Sequence, residues 1–157
     1  MAHHSFSLAA RTEQCTLDDL LTEAGARIER LDPAAAYAAC QNGALLIDLR
    51  SDTDREREGI VSGSLHIPRT VLEWRVCVDS PFRNPYAGGL GEQIILLCDH
   101  GCASVLAAAT LVDLGFERAG DVVGGYAAWR EAGLPTRQVE TSRRQPGEPA
   151  GMKPPDR

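Results

Sequence analysis

Four short apolar runs punctuate the chain, ALLID (44–48), SLHIP (64–68), IILLC (94–98) and AGDVV (119–123), and segments with helical patterning lie between them. Runs of about five residues are too short for buried helices and suit strands covered on both faces. Strands that alternate with helices predict a mostly parallel sheet. The expected fold class is therefore α/β, a three-layer domain with a mostly parallel central sheet and helices on both faces.

The helical segments carry their own punctuation. TLDDLLTEAGARI has Thr16 to cap it, acids in its first turn and Gly25 to stop it. LDPAAAYAACQNG starts at Pro33 and ends at Gly43, and TVLEWRVCV can be capped by Thr70. Apolar residues Val105, Ala108, Ala109, Val112 and Phe116 recur at helical spacing from about Ser104 to Leu114, with Gly115 closing the run. GGYAAWREAGLP is the last helix, closed by Gly133 and Pro135. RSDTDREREGIVSG reads as charged turn, and DSPFRNPYAGGLGEQ as a loop. Trp129 and Trp74 are expected in or near the core, with Trp74 the one that could border a docking surface.

The chain has 157 residues, 43% of them hydrophobic, which supports one domain with a core. We expect residues 1–26 to be an N-terminal extension with one short helix, 27–136 to be the domain, and the polar, proline-rich 137–157 to be a disordered tail. A formal charge of −6 argues against nucleic acid as a partner. No run approaches the roughly 20 apolar residues of a membrane span, and MAHHSFSLAARTEQ has no signal-like apolar region, so a cytoplasmic location and no membrane partner are expected. His3 and His4 resemble the remnant of an expression tag and carry no functional argument.

Cys15, Cys40, Cys77, Cys98 and Cys102 are odd in number and show no disulfide-framework spacing, so reduced thiols are expected. Cys15, Cys40 and Cys77 fall on predicted helices and read as packing residues. Cys98 differs, because it ends the most strand-like run and precedes a glycine loop and a helix start. Ligands of open α/β sheets sit beyond the carboxyl ends of the strands, and a helix N-terminus favours an anion. A cysteine held there has a pKa of roughly 3.5 to 7.5, against about 8.5 for a free thiol. Zinc is not expected, since Cys98, His100 and Cys102 lack a fourth ligand at the usual spacing. His66 reads as a satisfied strand-end residue.

CDHGCAS followed by LAAATLVDLGF resembles the active-site loop and helix of the rhodanese homology domain, whose loop has the form C-x-x-G-x-[RAT]-S. LDPAAAYAACQNGALLIDLRS resembles that family's opening helix and Asp-x-Arg strand, GSLHIPRTVLEWR its Gly-x-x-His-Ile-Pro segment, and DVVGGYAAWREAGLP its Gly-Gly-x-x-x-Trp helix. The resemblance covers about residues 27 to 136. It implies a rhodanese-like three-layer fold with a central sheet of about five strands, and a sulfurtransferase that carries a sulfane sulfur as a persulfide on Cys98, from a donor such as thiosulfate to a thiophilic acceptor. It makes Cys98 the catalytic nucleophile and Asp99, His100, Gly101, Cys102, Ala103 and Ser104 its loop, gives Asp48 and Arg50 structural places beside it, and requires neither metal nor cofactor.

Asp99 departs from the basic residues frequent in such loops. Arg69, Arg75 and Arg83 are the arginines that could supply positive charge, Arg69 and Arg75 as candidate substrate-binding residues. The expected partners are a small sulfur-containing anion or a persulfide or thiol, with a partner protein as a further option and no expectation about oligomeric state. The alternative reading is a carrier or regulatory module that docks on a partner protein, or senses redox state through Cys98 and Cys102. A cysteine phosphatase would need an arginine six residues after the nucleophile, and that residue is Ser104.

Overall fold

The computed structural model describes residues 14–139 and 147–156. Five parallel strands, β1 (Glu29–Leu31), β2 (Leu45–Asp48), β3 (Leu65–His66), β4 (Ile94–Leu97) and β5 (Ala119–Val122), form one sheet in the order β1-β5-β4-β2-β3. The central strand is the apolar run singled out above, and all four of its residues are fully buried. Because side chains alternate along a strand, Ile94 and Leu96 enter one apolar layer while Ile95 and Leu97 enter the other.

Six α-helices cover the sheet: α1 (Leu17–Ala26), α2 (Pro33–Gln41), α3 (Asp52–Glu58), α4 (Leu72–Val76), α5 (Ala103–Asp113) and α6 (Gly125–Glu131). Leu72 and Val76 of α4 and Ala107, Ala108 and Leu111 of α5 pack with Ile94, Leu96 and Phe116 on one face. On the other, Ala36 of α2 and Tyr126 and Trp129 of α6 pack with Ile95, Leu97 and Val122. Helix α1 lies outside α5, with Ala24 against Val105 and Ala109. The three-layer α/β architecture expected from the alternation is the one observed.

The differences are local. Helix α1 runs through Gly25, while Thr16 caps it through a reciprocal pair of hydrogen bonds with Asp19. Strand β1 is the fifth strand, unread in the sequence because ERL is short, polar and at the sheet edge. Residues 52–58 are helical, although no apolar period marks them: Ser51 accepts from the Asp54 N–H, and Gly59, at φ 92°, ends the helix. Thr70 does not cap a helix, because residues 69–71 form a 3-10 turn that leads into α4. Trp129 is fully buried, but Trp74 is 57% exposed.

The tail departs furthest from expectation. Arg137 pairs with Ile60 in an isolated antiparallel bridge, and residues 147–156 lie along the β3 side of the domain. Groups of the domain accept from and donate to the main chain of these residues. His3 and His4 fall outside the described residues.

Candidate active site

Cys98 directly follows β4 and is 7% exposed. Gly101, at φ 79°, bends the chain so that its N–H donates to Cys98 Sγ over 3.1 Å. The thiol donates to Ser104 Oγ at 3.2 Å, and Ser104, in the first turn of α5, is fully buried. The sulfur therefore faces a backbone donor at the positive end of an eleven-residue helix.

Helix α6 fixes the loop from behind. The N–H groups of Tyr126 and Ala127 donate to Cys98 O (2.8 Å) and Asp99 O (3.0 Å). A planar trans peptide sets its N–H opposite its C=O, so these bonds turn the N–H groups of Asp99 and His100 away from α6. The approach is so close that a Cβ on Gly125 would lie 2.4 Å from Cys98 O, and one on Gly101 would lie 2.6 Å from Gly124 N. The Gly-Gly pair that opens α6 is thus a packing requirement of the cysteine loop.

The rhodanese-like domain profile matches residues 32–132. This chain belongs to the rhodanese-like domain family. A thiosulfate sulfurtransferase GlpE of Stutzerimonas stutzeri is 32% identical over 102 residues, 65% of this chain and 84% of that protein. The Haemophilus influenzae GlpE is 31% identical over 108 residues, 68% and 92% of the two chains. A Rhodopseudomonas palustris protein of unknown function, described as a possible tyrosine phosphatase, shares 32% identity and a TM-score of 0.73 over 81% of this chain and 98% of its own. A polysulfide-sulfur transferase homodimer of Wolinella succinogenes has the same fold at 24% identity, with a TM-score of 0.63 over 82% and 91% of the chains.

Behind the rhodanese-like loop runs a polar chain that sequence reasoning did not find. Ser104 Oγ donates to Asp121 Oδ2 at 2.7 Å, and Asp121 is fully buried on β5. Arg30 of β1 donates to both Asp121 oxygens (2.9 and 3.1 Å) and to Gly101 O (3.1 Å). The hydrogen bond to Asp121 raises the Arg30 pKa, which keeps the guanidinium charged. The signal for Asp121 was one acid inside an apolar strand; nothing marked Arg30, because β1 itself was unread.

Asp48 and Arg50 brace the loop from the α3 side. Arg50 is buried, grips Asp48 through Nε and Nη2 (3.1 and 2.8 Å), donates to Gly59 O, and stacks 3.6 Å from the centre of the Tyr126 ring. Arg55 adds a bond to Asp48 Oδ2 at 3.1 Å. Two arginines thus compensate one fully buried carboxylate, as burial of a charge demands. Tyr126 joins this network to the loop through its N–H to Cys98 O.

The remaining sequence candidates divide. Cys102 is exposed at the start of α5, and its side chain makes no capping hydrogen bond. Burial pushes the Asp99 carboxyl above the usual range, Asp54 and Glu58 push the same way, and Arg50 opposes them. Arg69 is paired with Glu73 at 2.7 Å, while Arg75 donates to Ala150 O and Phe82 O, and Arg83 to Val76 O and Gly88 O. These bonds hold the three arginines on the α4 side; the arginine that donates to the cysteine loop itself is Arg30, while Arg50 lies behind it on Tyr126. His66 Nε2 is 2.7 Å from Arg50 O, the satisfied strand-end histidine expected. All five cysteines are free; Cys40 packs in the α2 layer, where burial pushes its pKa up to about 11, Cys77 donates to Asp79 past the end of α4, and Cys15 precedes α1.

Proposed function

We propose that this rhodanese-like protein is a sulfurtransferase that carries a sulfane sulfur on Cys98. The observation that carries the reading is the Cys98 sulfur seated against the Gly101 N–H at the N-terminus of α5, a site built for negative charge on sulfur. GlpE relatives named as thiosulfate sulfurtransferases support it.

In the proposed cycle, the Cys98 thiolate attacks the outer sulfur of thiosulfate or another sulfane donor. One S–S bond forms, the donor's own sulfur–sulfur bond breaks with its electron pair, and sulfite leaves when the donor is thiosulfate. A nucleophilic acceptor then takes the terminal sulfur and returns the thiolate, so no external oxidant is needed. The Gly101 N–H, at the positive end of α5, holds the anionic sulfur in both states. The thiol donates to Ser104 Oγ, and the Ser104 hydroxyl is itself committed to Asp121, so a fixed hydrogen-bond chain orients this side of the sulfur.

Phosphoryl chemistry is disfavoured on the same geometry. Where a phosphatase needs an arginine to grip phosphate, this loop has Ser104, which is buried, uncharged and already bonded to Asp121.

Intact-mass spectrometry after incubation with thiosulfate, and separately with a low-molecular-weight persulfide, tests the reading. A gain of one sulfur, about 32 Da, that is lost in Cys98→Ala is expected. No gain from either donor overturns it. Turnover to thiocyanate with cyanide as acceptor separates an enzyme from a carrier, which loads once and does not cycle.

A further inference from the structure

The described part of the tail lies on a surface equipped to hold it. Asn84 sits in the loop between α4 and β4, is fully buried, and spends its side-chain amide on Gly151 O and Lys153 O, both at 2.9 Å. Its own oxygen accepts the Tyr86 N–H at 2.8 Å, so the side chain is fully used only while the tail is present. Arg75 Nε donates to Ala150 O at 2.7 Å, and the Gly63 N–H donates to Asp156 O. In return the Asp156 N–H donates to Ser64 O, and its carboxylate pairs with Arg55.

Three residues of the domain, Arg75, Asn84 and Gly63, therefore read four main-chain carbonyls of the segment, those of Ala150, Gly151, Lys153 and Asp156. Two prolines, Pro154 and Pro155, occupy positions where no N–H is called for. Gly151, at φ 75°, lies where a Cβ would be 3.1 Å from Arg75 Cγ and 3.2 Å from Ile67 Cγ2. The segment runs beside the β3 edge of the sheet and lies beyond residues 32–132 that match the family. Recognition through main-chain carbonyls gives affinity with little dependence on sequence, and the tight fit at Gly151 and the Arg55 contact add specificity.

We propose that the surface formed by Asn84, Arg75, Gly63, Ser64 and Arg55 is a recognition groove for a proline-containing polypeptide segment that turns at a glycine at the Asn84 contact and places an acid against Arg55, and that residues 147–156 are its resident ligand in cis. A partner segment with that chemistry gains access when the tail leaves. The site is separate from Cys98 and does not depend on the sulfur-transfer reading.

A fluorescent peptide GEPAGMKPPD, titrated against the full-length chain and its variants, tests this. In Gly151→Val the chain's own tail no longer fits, and we expect the peptide to bind at least tenfold more tightly than to the wild type. Adding Asn84→Asp, which replaces the two donors by acceptors, removes the gain, and a scrambled peptide shows none. Protection of the Gly63 amide from hydrogen exchange should fall in Gly151→Val and return with peptide. Asp156→Lys, which sets a cation against Arg55, provides a second route to tail release should Gly151→Val fold poorly. Equal peptide affinity for wild type and both releasing variants, or a gain that Asn84→Asp leaves intact, overturns the proposal.

Discussion

At the residue scale, the chemistry depends on how few groups touch one sulfur. Cys98 has the Gly101 N–H on one side and Ser104 on the other. Removing the hydroxyl in Ser104→Ala takes away one hydrogen bond near the sulfur and strands a lone pair of Asp121. An interaction of that size, about 1.4 kcal/mol, corresponds to roughly tenfold in rate. We expect persulfide formation on Cys98 to slow by that factor as the sulfur loses the group that orients it; an unchanged loading rate would show that Ser104 does not position the sulfur. Arg30→Gln should act through Asp121 and slow the same step, while the sulfur still loads. Cys102, exposed beside these groups, is dispensable for loading in this scheme, and Cys102→Ser should retain the mass gain that Cys98→Ala loses.

Two helix beginnings make the site at the scale of elements: α5 faces the sulfur, and α6 holds the carbonyls of the loop. Their meeting leaves no space for a side chain at the start of α6. Gly125→Ala would combine a φ of 64° with a Cβ 2.4 Å from Cys98 O. A cost of roughly 1–3 kcal/mol in urea unfolding is expected, together with loss of sulfur loading as the loop shifts. A variant as stable as the wild type would show that the loop is not clamped there. Helix α3 offers a milder case: Ser51→Ala should cost about 1 kcal/mol through its lost cap and leave the loop intact. The charged sequence of α3 shows why that helix escaped periodicity. It buries chiefly Arg55, whose partners Asp48 and Asp156 come from β2 and the tail, and no apolar stripe is needed.

For the whole molecule, the β3 side is held by charges as well as packing, and this gives stability a pH dependence. Burial first, and then the charge of Arg55, hold the His66 pKa below its ordinary 6.5, although Asp48 and Asp52 oppose them. The folded state therefore binds fewer protons at His66 than the unfolded chain does. The contribution is fully present above about 6.5 and is lost as pH falls toward and through the folded value. Urea unfolding at pH 7.5 and pH 5 should show a smaller loss for His66→Gln than for wild type; equal losses would mean that His66 does not titrate in this way.

Much of this molecule was legible in the chain itself, for a physical reason that differs from what stayed hidden. Strands β2, β3, β4 and β5, the helix that follows Cys98 and the loop between them are marked by local properties: short apolar runs, caps, and glycine where the backbone must turn. Those properties determined the α/β layers and placed a thiol beyond a strand end, before a helix. What only the tertiary structure decided are the contacts between segments distant in sequence. Arg30 and Asp121 meet because β1 pairs with β5, and Asn84 finds Gly151 and Lys153 across 67 and 69 residues. A polar residue's sequence neighbourhood does not encode which partner will satisfy it, so β1, the arginine behind the loop and the seated tail emerge only when the fold brings donor and acceptor together.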